Sequence, residues 1–335
     1  QNNDSTTASY QFGYDINIEN GQGERFTQEN GNAITLGEAA LFTAVSWKPS
    51  ANFALQPAIR YGYHSKYKVL PTPSLSMKTD FGKGFTYRAS YGMGFRSPNL
   101  KELYLNFVDK NHRIFGNEDL TPELSHNVNT SFQYRGSKKI HKYQLKTSFF
   151  FNHKYDAIAL FSSSDNSAEF RYTNVGEYQT MGVQIEGQYK VKDFSIGTGF
   201  GYFGKHNKTQ NLVEQKFRFS PEWNLQASYD IKRIGLNLSL YNKLNGKQEA
   251  FALDSETNEI QTLSVARYNI MDLTASKSFW ENRLKIQVGA KNIFDVTTAA
   301  ASGGSQSSGA HSSSTGTLIS TGRSYFIGLK IGGKS

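Results

Sequence analysis

Residues of like polarity recur at every second position along this chain in runs of about ten, and only a β-strand turns that period into two distinct faces. From Phe217 the odd positions read Phe217, Phe219, Pro221, Trp223, Leu225, Ala227, Tyr229 and Ile231, while the even ones read Arg218, Ser220, Glu222, Asn224, Gln226, Ser228 and Asp230. From Phe85 the same rule sets Phe85, Tyr87, Ala89, Tyr91, Met93 and Phe95 against Thr86, Arg88, Ser90, Gly92 and Gly94. A strand in a soluble sandwich averages five or six residues and turns an aliphatic face inward. These are longer and richly aromatic, in a chain with 24 Phe, 19 Tyr and 30 Gly but 7 Pro. About ten residues rising about 3.3 Å each, tilted by about 40°, span roughly 25 Å, the height of the lipid-facing band of a transmembrane barrel.

About fourteen such segments can be drawn: 8–18, 35–48, 52–65, 69–81, 84–95, 124–136, 140–162, 169–191, 193–205, 216–230, 234–245, 264–279, 283–293 and 321–331. Their connections alternate in length. Pro49 to Ala51, Gly82 to Lys83, Gly136 to Lys139, Lys192, Ile231 to Arg233 and Trp280 to Asn282 are tight, and wider gaps such as 19–34, 96–123, 206–215, 246–263 and 294–320 lie between them. Short periplasmic turns alternating with long extracellular loops are the parity of outer-membrane barrels, and they start the first strand at the periplasm and return the last one there. The reading is all-β, a transmembrane antiparallel barrel. No run approaches the roughly 18 apolar residues of a membrane helix; the longest are stretches such as Ala39 to Phe42 and Phe149 to Phe151.

Other classes lose support. With 0 Cys there are no disulfides or thiolate metal sites. The formal charge of +9 is spread along the chain without a basic run, so no nucleic-acid partner is expected. Phosphate loops, nucleophile elbows and His-Glu-x-x-His motifs are all missing, so the chain is not expected to be an enzyme. Gln1 to Asp4 lack the basic-then-apolar order of a signal peptide. The aromatics Trp47, Tyr63, Tyr155, Tyr202, Trp223, Tyr241 and Trp280 fall near strand ends and read as an interfacial girdle, and His64, His153 and His206 as rim residues.

Two stretches carry a family resemblance. Gly94-Phe95-Arg96-Ser97-Pro98-Asn99-Leu100-Lys101-Glu102-Leu103-Tyr104, followed by Gly116-Asn117-Glu118-Asp119-Leu120-Thr121-Pro122-Glu123, resembles the strand end and loop motif of TonB-dependent outer-membrane receptors. Lys291-Asn292-Ile293-Phe294-Asp295 is similar to the close of that family's penultimate strand, and Gly322-Arg323-Ser324-Tyr325-Phe326 to its last. Ser97 stands where Ala is usual and Glu118 where Pro is, and the chain ends on Gly332-Gly333-Lys334-Ser335 where the family has an aromatic.

The resemblance implies that residues 1–335 are the C-terminal portion of a barrel of about 22 strands, with about eight strands and the plug lying outside this chain. It implies a receptor in the outer membrane of a Gram-negative bacterium, among lipid and lipopolysaccharide. Active uptake of haem, an iron chelate, cobalamin or an oligomer would be driven by TonB, ExbB and ExbD through the plug, with a surface lipoprotein as a further partner. A passive fourteen-strand porin or fatty-acid channel, or a structural envelope barrel, could use the same strands. The loop from Arg96 to Glu123 is the candidate ligand site, through Arg96, Tyr104, Phe107, His112, Arg113 and Phe115. Haem receptors of the family ligate iron through a His in a comparable place, which makes His112 a candidate axial ligand to a transported haem; no resident cofactor is expected. Its rival reading is a polar turn. His311 falls in the Ser/Gly-rich tract 299–316, whose composition is that of a mobile loop.

Overall fold

The computed structural model describes residues 7–26, 33–110, 113–163, 166–174, 176–208, 216–253, 260–280, 283–302 and 316–332. Along the chain lie β1 (Thr7–Gly21), β2 (Ile34–Ser50), β3 (Phe53–His64), β4 (Thr72–Gly82), β5 (Phe85–Arg96), α1 (Leu100–Tyr104), β6 (Asn106–Val108), β7 (Arg113–Phe115), β8 (Glu123–Lys138), β9 (His141–Tyr155), β10 (Ile158–Ser163), β11 (Asn166–Asn174), β12 (Glu177–Val191), β13 (Phe194–Lys208), β14 (Arg218–Ile231), β15 (Leu236–Asn245), β16 (Gln248–Leu253), β17 (Ile260–Val265), β18 (Tyr268–Phe279), β19 (Leu284–Lys291), β20 (Thr298–Ser302), β21 (Gly316–Leu318) and β22 (Ser324–Ile331). A 14-stranded antiparallel sheet runs β1-β2-β3-β4-β5-β8-β9-β12-β13-β14-β15-β18-β19-β22, each strand beside its predecessor in the wall. The expected meander is present. Among the described residues β1 pairs only with β2 and β22 only with β19, so the sheet is open.

The wall is inside out with respect to a soluble protein. One row across six strands reads Phe132, Thr147, Ile185, Phe200, Trp223 and Leu244, and the row beside it reads Gln133, Lys146, Glu186, Gly199, Asn224 and Lys243. The greasy row is the exposed one: Phe200 keeps 46% of its surface open and Gln133 only 7%. Ion pairs sit on the polar face, with Lys146 Nζ 3.1 Å from Glu186 and Lys243 Nζ 3.1 Å from Glu222. An apolar surface of this extent is stable only against lipid, and the paired charges must line the lumen.

Three sequence expectations change. The segments 140–162 and 169–191 are each two strands, because Asp156 at φ 52° and Gly176 at φ 83° bend the backbone out of the wall, and β10 and β11 form a separate ladder beyond the bend. The alternation lapses at both bends, in the apolar run Ala157 to Phe161 and in the shift of the apolar phase from even positions (Phe170, Tyr172) to odd ones (Val183, Ile185). The gaps 96–123, 246–263 and 294–320 are not plain loops: they contribute to two 4-stranded sheets, β10-β11-β7-β6 and β16-β17-β20-β21. Tyr241 leaves the girdle, since it pairs with Gln226 and Asp272 on the inward face while Leu238 and Leu240 take the outward one.

By register, Leu225 faces outward between Thr198 and Asn242, and Gln226 faces the lumen beside Gly197. Leu225→Arg is therefore expected to cost about 2–4 kcal/mol of barrel stability and Gln226→Arg much less. Equal heat-modifiability of the two variants on gels would overturn the face assignment.

Candidate functional site

The loop between β5 and β8 folds by its own short-range chemistry. Asn99 caps α1: its side-chain oxygen accepts from the Glu102 amide at 2.9 Å, and the Glu102 carboxylate accepts from the Asn99 amide at 3.0 Å. Gly116 then passes so close to α1 that a β-carbon there would sit 2.4 Å from the Leu103 carbonyl oxygen. Its amide donates to Leu105 O at 2.6 Å and that of Asn117 to Glu102 O at 2.9 Å. Asn117 Oδ1 accepts from the Asp119 amide at 3.0 Å, a turn that delivers Leu120 into the interior. The two motif stretches are thus one packing unit.

That unit is welded to the wall. Arg96 donates through Nε to Glu123 at 2.7 Å and through Nη1 to Glu102 at 2.8 Å. Glu123, buried, also accepts from the Ile158 amide at 2.7 Å and from Lys154 at 3.3 Å. From β1, Glu19 accepts from the Leu100 amide at 3.2 Å, and Lys66 reaches the Glu118 carbonyl at 2.9 Å. Beneath lies an apolar cluster of Ile34, Leu36, Leu100, Leu103, Tyr104 and Leu120, with Tyr67, Ile158 and Tyr172 packed against it. Ile34 and Leu36 share the inward face of β2 with Glu38, so this cap folds over the lumen. Burial and the neighbouring Tyr104, Glu102 and Glu118 push the Tyr67 phenol up to about 12, which keeps it protonated. Between cap and wall is a polar cavity of about 320 Å³, lined by Glu19, Glu38, His64, Arg96 and Asn99 among others.

The six predicted site residues separate accordingly. Arg96 is engaged by two carboxylates while its side chain stays partly exposed, and Tyr104 is buried in the cluster, so both help hold the cap together. Phe107 shares a face of the small sheet with Ile114 and Phe170, under the guanidinium of Arg25 at 4.6 Å from its ring centroid. Arg113 and Phe115 point from the opposite face, together with Glu169 and Arg171. Arg113 lies 3.5 Å from Glu169, and Arg171 lies 5.9 Å from the Phe115 ring centroid. His112 falls outside the described residues, as does His311. Arg171 and Glu169 escaped the sequence reading because β11 pairs with β7 in parallel across more than fifty positions, and nothing local marks such a partner. Chemically, the Arg113/Phe115/Arg171 face offers guanidinium groups and a ring to a planar or anionic ligand.

A family model described as TonB dependent receptor-like, beta-barrel matches residues 1–293. The ferric enterobactin receptor PirA of Pseudomonas aeruginosa is 24% identical over 266 residues, covering 72% of this chain and 34% of that protein. Its crystal structure superposes with a TM-score of 0.72 at 17% identity, covering 98% of this chain and 54% of that one. The FrpB iron transporter of Neisseria meningitidis gives 0.71 at 13% identity, covering 96% and 52%. The chain therefore spans from about a third to about half the length of the relatives it matches.

Removing the Glu123 carboxylate strips a shared acceptor from Arg96, Lys154 and the Ile158 amide. Glu123→Ala is expected to loosen the cap by about 1–3 kcal/mol while sparing the wall. Faster protease cleavage within 97–122 at unchanged heat-modifiability is the expected result, and an unchanged cleavage rate would remove Glu123 from this role.

Proposed function

This chain belongs to the TonB-dependent receptor-like β-barrels, proteins of the Gram-negative outer membrane that transport and are not enzymes, and from that premise we propose that it forms the C-terminal part of a barrel of about 22 strands that imports an anionic ferric chelate. The plug and the contact with TonB, ExbB and ExbD belong to the portion outside this chain. The observation that carries the ligand class is the Arg113, Phe115 and Arg171 face, net positive although Glu169 pairs with Arg113 on it, turned away from the cap's apolar cluster and held on a folded scaffold. Guanidinium groups suit the oxygen-rich charge of a catecholate-type chelate and the Phe115 ring suits its aromatic planes. PirA, the relative named as a ferric enterobactin receptor, supports the same class.

The open edges favour the larger barrel over a fourteen-strand channel. On β1 the outward residues Tyr10, Phe12, Tyr14, Ile16 and Ile18 are all strongly exposed, as are Tyr325, Ile327, Leu329 and Ile331 on β22. Backbone groups along both edges need partners in lipid, and further strands would supply them. In the intact receptor, cysteines placed at Tyr14 and Ile327 are expected to form no disulfide. Efficient cross-linking would mean that the two edges meet and would support a closed channel.

Binding to the intact receptor tests the ligand. Ferric enterobactin should quench its fluorescence saturably, and Arg113→Ala with Arg171→Ala should weaken binding by about 10- to 100-fold, the loss expected for charge-assisted contacts. Wild-type affinity in the double variant would sink the assignment of this face. Haem binding with a Soret band that shifts in His112→Ala would transfer the substrate to haem.

A further inference from the structure

The two ends of the wall are charged differently. At the long-loop end several cations meet carboxylates: Arg96 with Glu102 and Glu123, Arg113 with Glu169, and Arg218 with Glu249 at 2.6 Å. At the tight-turn end, Lys83, Lys139, Lys192, Lys232, Arg233 and Arg283 occupy the connections themselves, and only Ala51–Asn52 among these turns has no cation. Among the described residues, the one ion pair within those turns joins Lys232 to Asp193.

Three further observations say what this end meets. Lys83, Lys139 and Lys192 stand at φ 51°, 55° and 49°, the left-handed region that Gly, Asn or Asp would occupy with less strain, so the turn geometry itself does not account for lysine. Apolar side chains are exposed in the same turns: Ile140 beside Lys139, Ile234 beside Arg233, and Trp280, which is 72% exposed, in the connection that holds Arg283. An acidic aqueous partner would account for the cations but not for these. Lys277, on the outward face of β18, lays its ammonium 5.2 Å from the Phe279 ring centroid, bending toward the turn end as a lysine does when it leaves hydrocarbon for the headgroups.

We propose that the tight-turn rim is a binding belt for the headgroups of anionic phospholipids in the periplasmic leaflet. The ammonium and guanidinium groups meet lipid phosphates, and Ile140, Ile234 and Trp280 enter the acyl boundary between them. The belt is independent of which nutrient is carried.

The test uses the intact receptor in vesicles, with brominated phosphatidylglycerol or brominated phosphatidylcholine as quencher of tryptophan fluorescence. The difference between wild type and Trp280→Phe isolates Trp280. Quenching of Trp280 should favour the anionic lipid by at least about fivefold, the effect of a single cation at an anionic surface. The preference should collapse in about 1 M salt, where the screening length is about 3 Å. A variant carrying Lys277→Gln and Arg283→Gln, which removes the cations nearest Trp280, should assemble like wild type and yet lose most of the preference. Equal quenching by both lipids in wild type would overturn the proposal, and so would an undiminished preference in the double variant. A wild type without lipid preference that binds an acidic periplasmic protein through these lysines would assign the rim to protein, and the proposal would fall.

Discussion

Every feature of this wall follows from one requirement: a peptide group in hydrocarbon must find its hydrogen bond within the protein. A strand cannot satisfy its own backbone, so each needs two neighbours over the full thickness of the bilayer. That fixes long ladders such as the unbroken register from Glu177↔Lys208 to Val191↔Phe194 between β12 and β13. It favours an antiparallel meander, in which every second neighbour follows after a turn of a few residues. It also makes the free edges of β1 and β22 the strongest physical reason to regard the fourteen strands as part of a larger closed surface.

With the backbone satisfied by the ladder, side chains divide by phase and not by burial. The outward rows carry Phe132, Phe200 and Trp223, and the inward rows carry Lys146, Glu186 and Asn224, so the usual core exists only where the wall stops. There the chain must fold in water, and it builds a small globular unit: Leu103 and Leu120 are nearly inaccessible, Asn99 and Glu102 cap one turn of helix, and Gly116 lets the backbone pass α1. The residues that carry the family resemblance are mostly residues of this unit. Arg96 keeps its place because Glu102 and Glu123 hold it, and the same residue type in the same motif would otherwise look like a ligand contact.

This explains what was legible in the sequence. The wall strands, their order and their faces follow from a period of two that the bilayer enforces, and Leu225 and Gln226 fall where alternation puts them. Tyr241 lies near a strand end but out of phase with Leu240, and phase, not nearness to the rim, sets the face of a wall residue. The cap was illegible beyond its motifs: β6 and β7 have 3 residues each, and β7 finds its partner in β11, in the next long loop. Arg113 and Phe115 could be named from composition, but the Arg171 that completes their face is set by tertiary pairing, which no local pattern encodes.

The two ends of the wall differ in the solvent each must meet. In the long loops there is room for a second layer, and the Arg96–Glu123 node ties the cap to the wall at a point where Glu123 is nearly inaccessible. Turns of two to four residues have no room for a core and no second layer to satisfy a charge. Beyond the Lys232–Asp193 pair, the charged side chains there meet water, lipid or another molecule. Lysine held at positive φ beside exposed isoleucine fits neither a purely aqueous nor a purely apolar neighbour, whereas a boundary with phosphate above hydrocarbon accommodates both groups within a few ångströms.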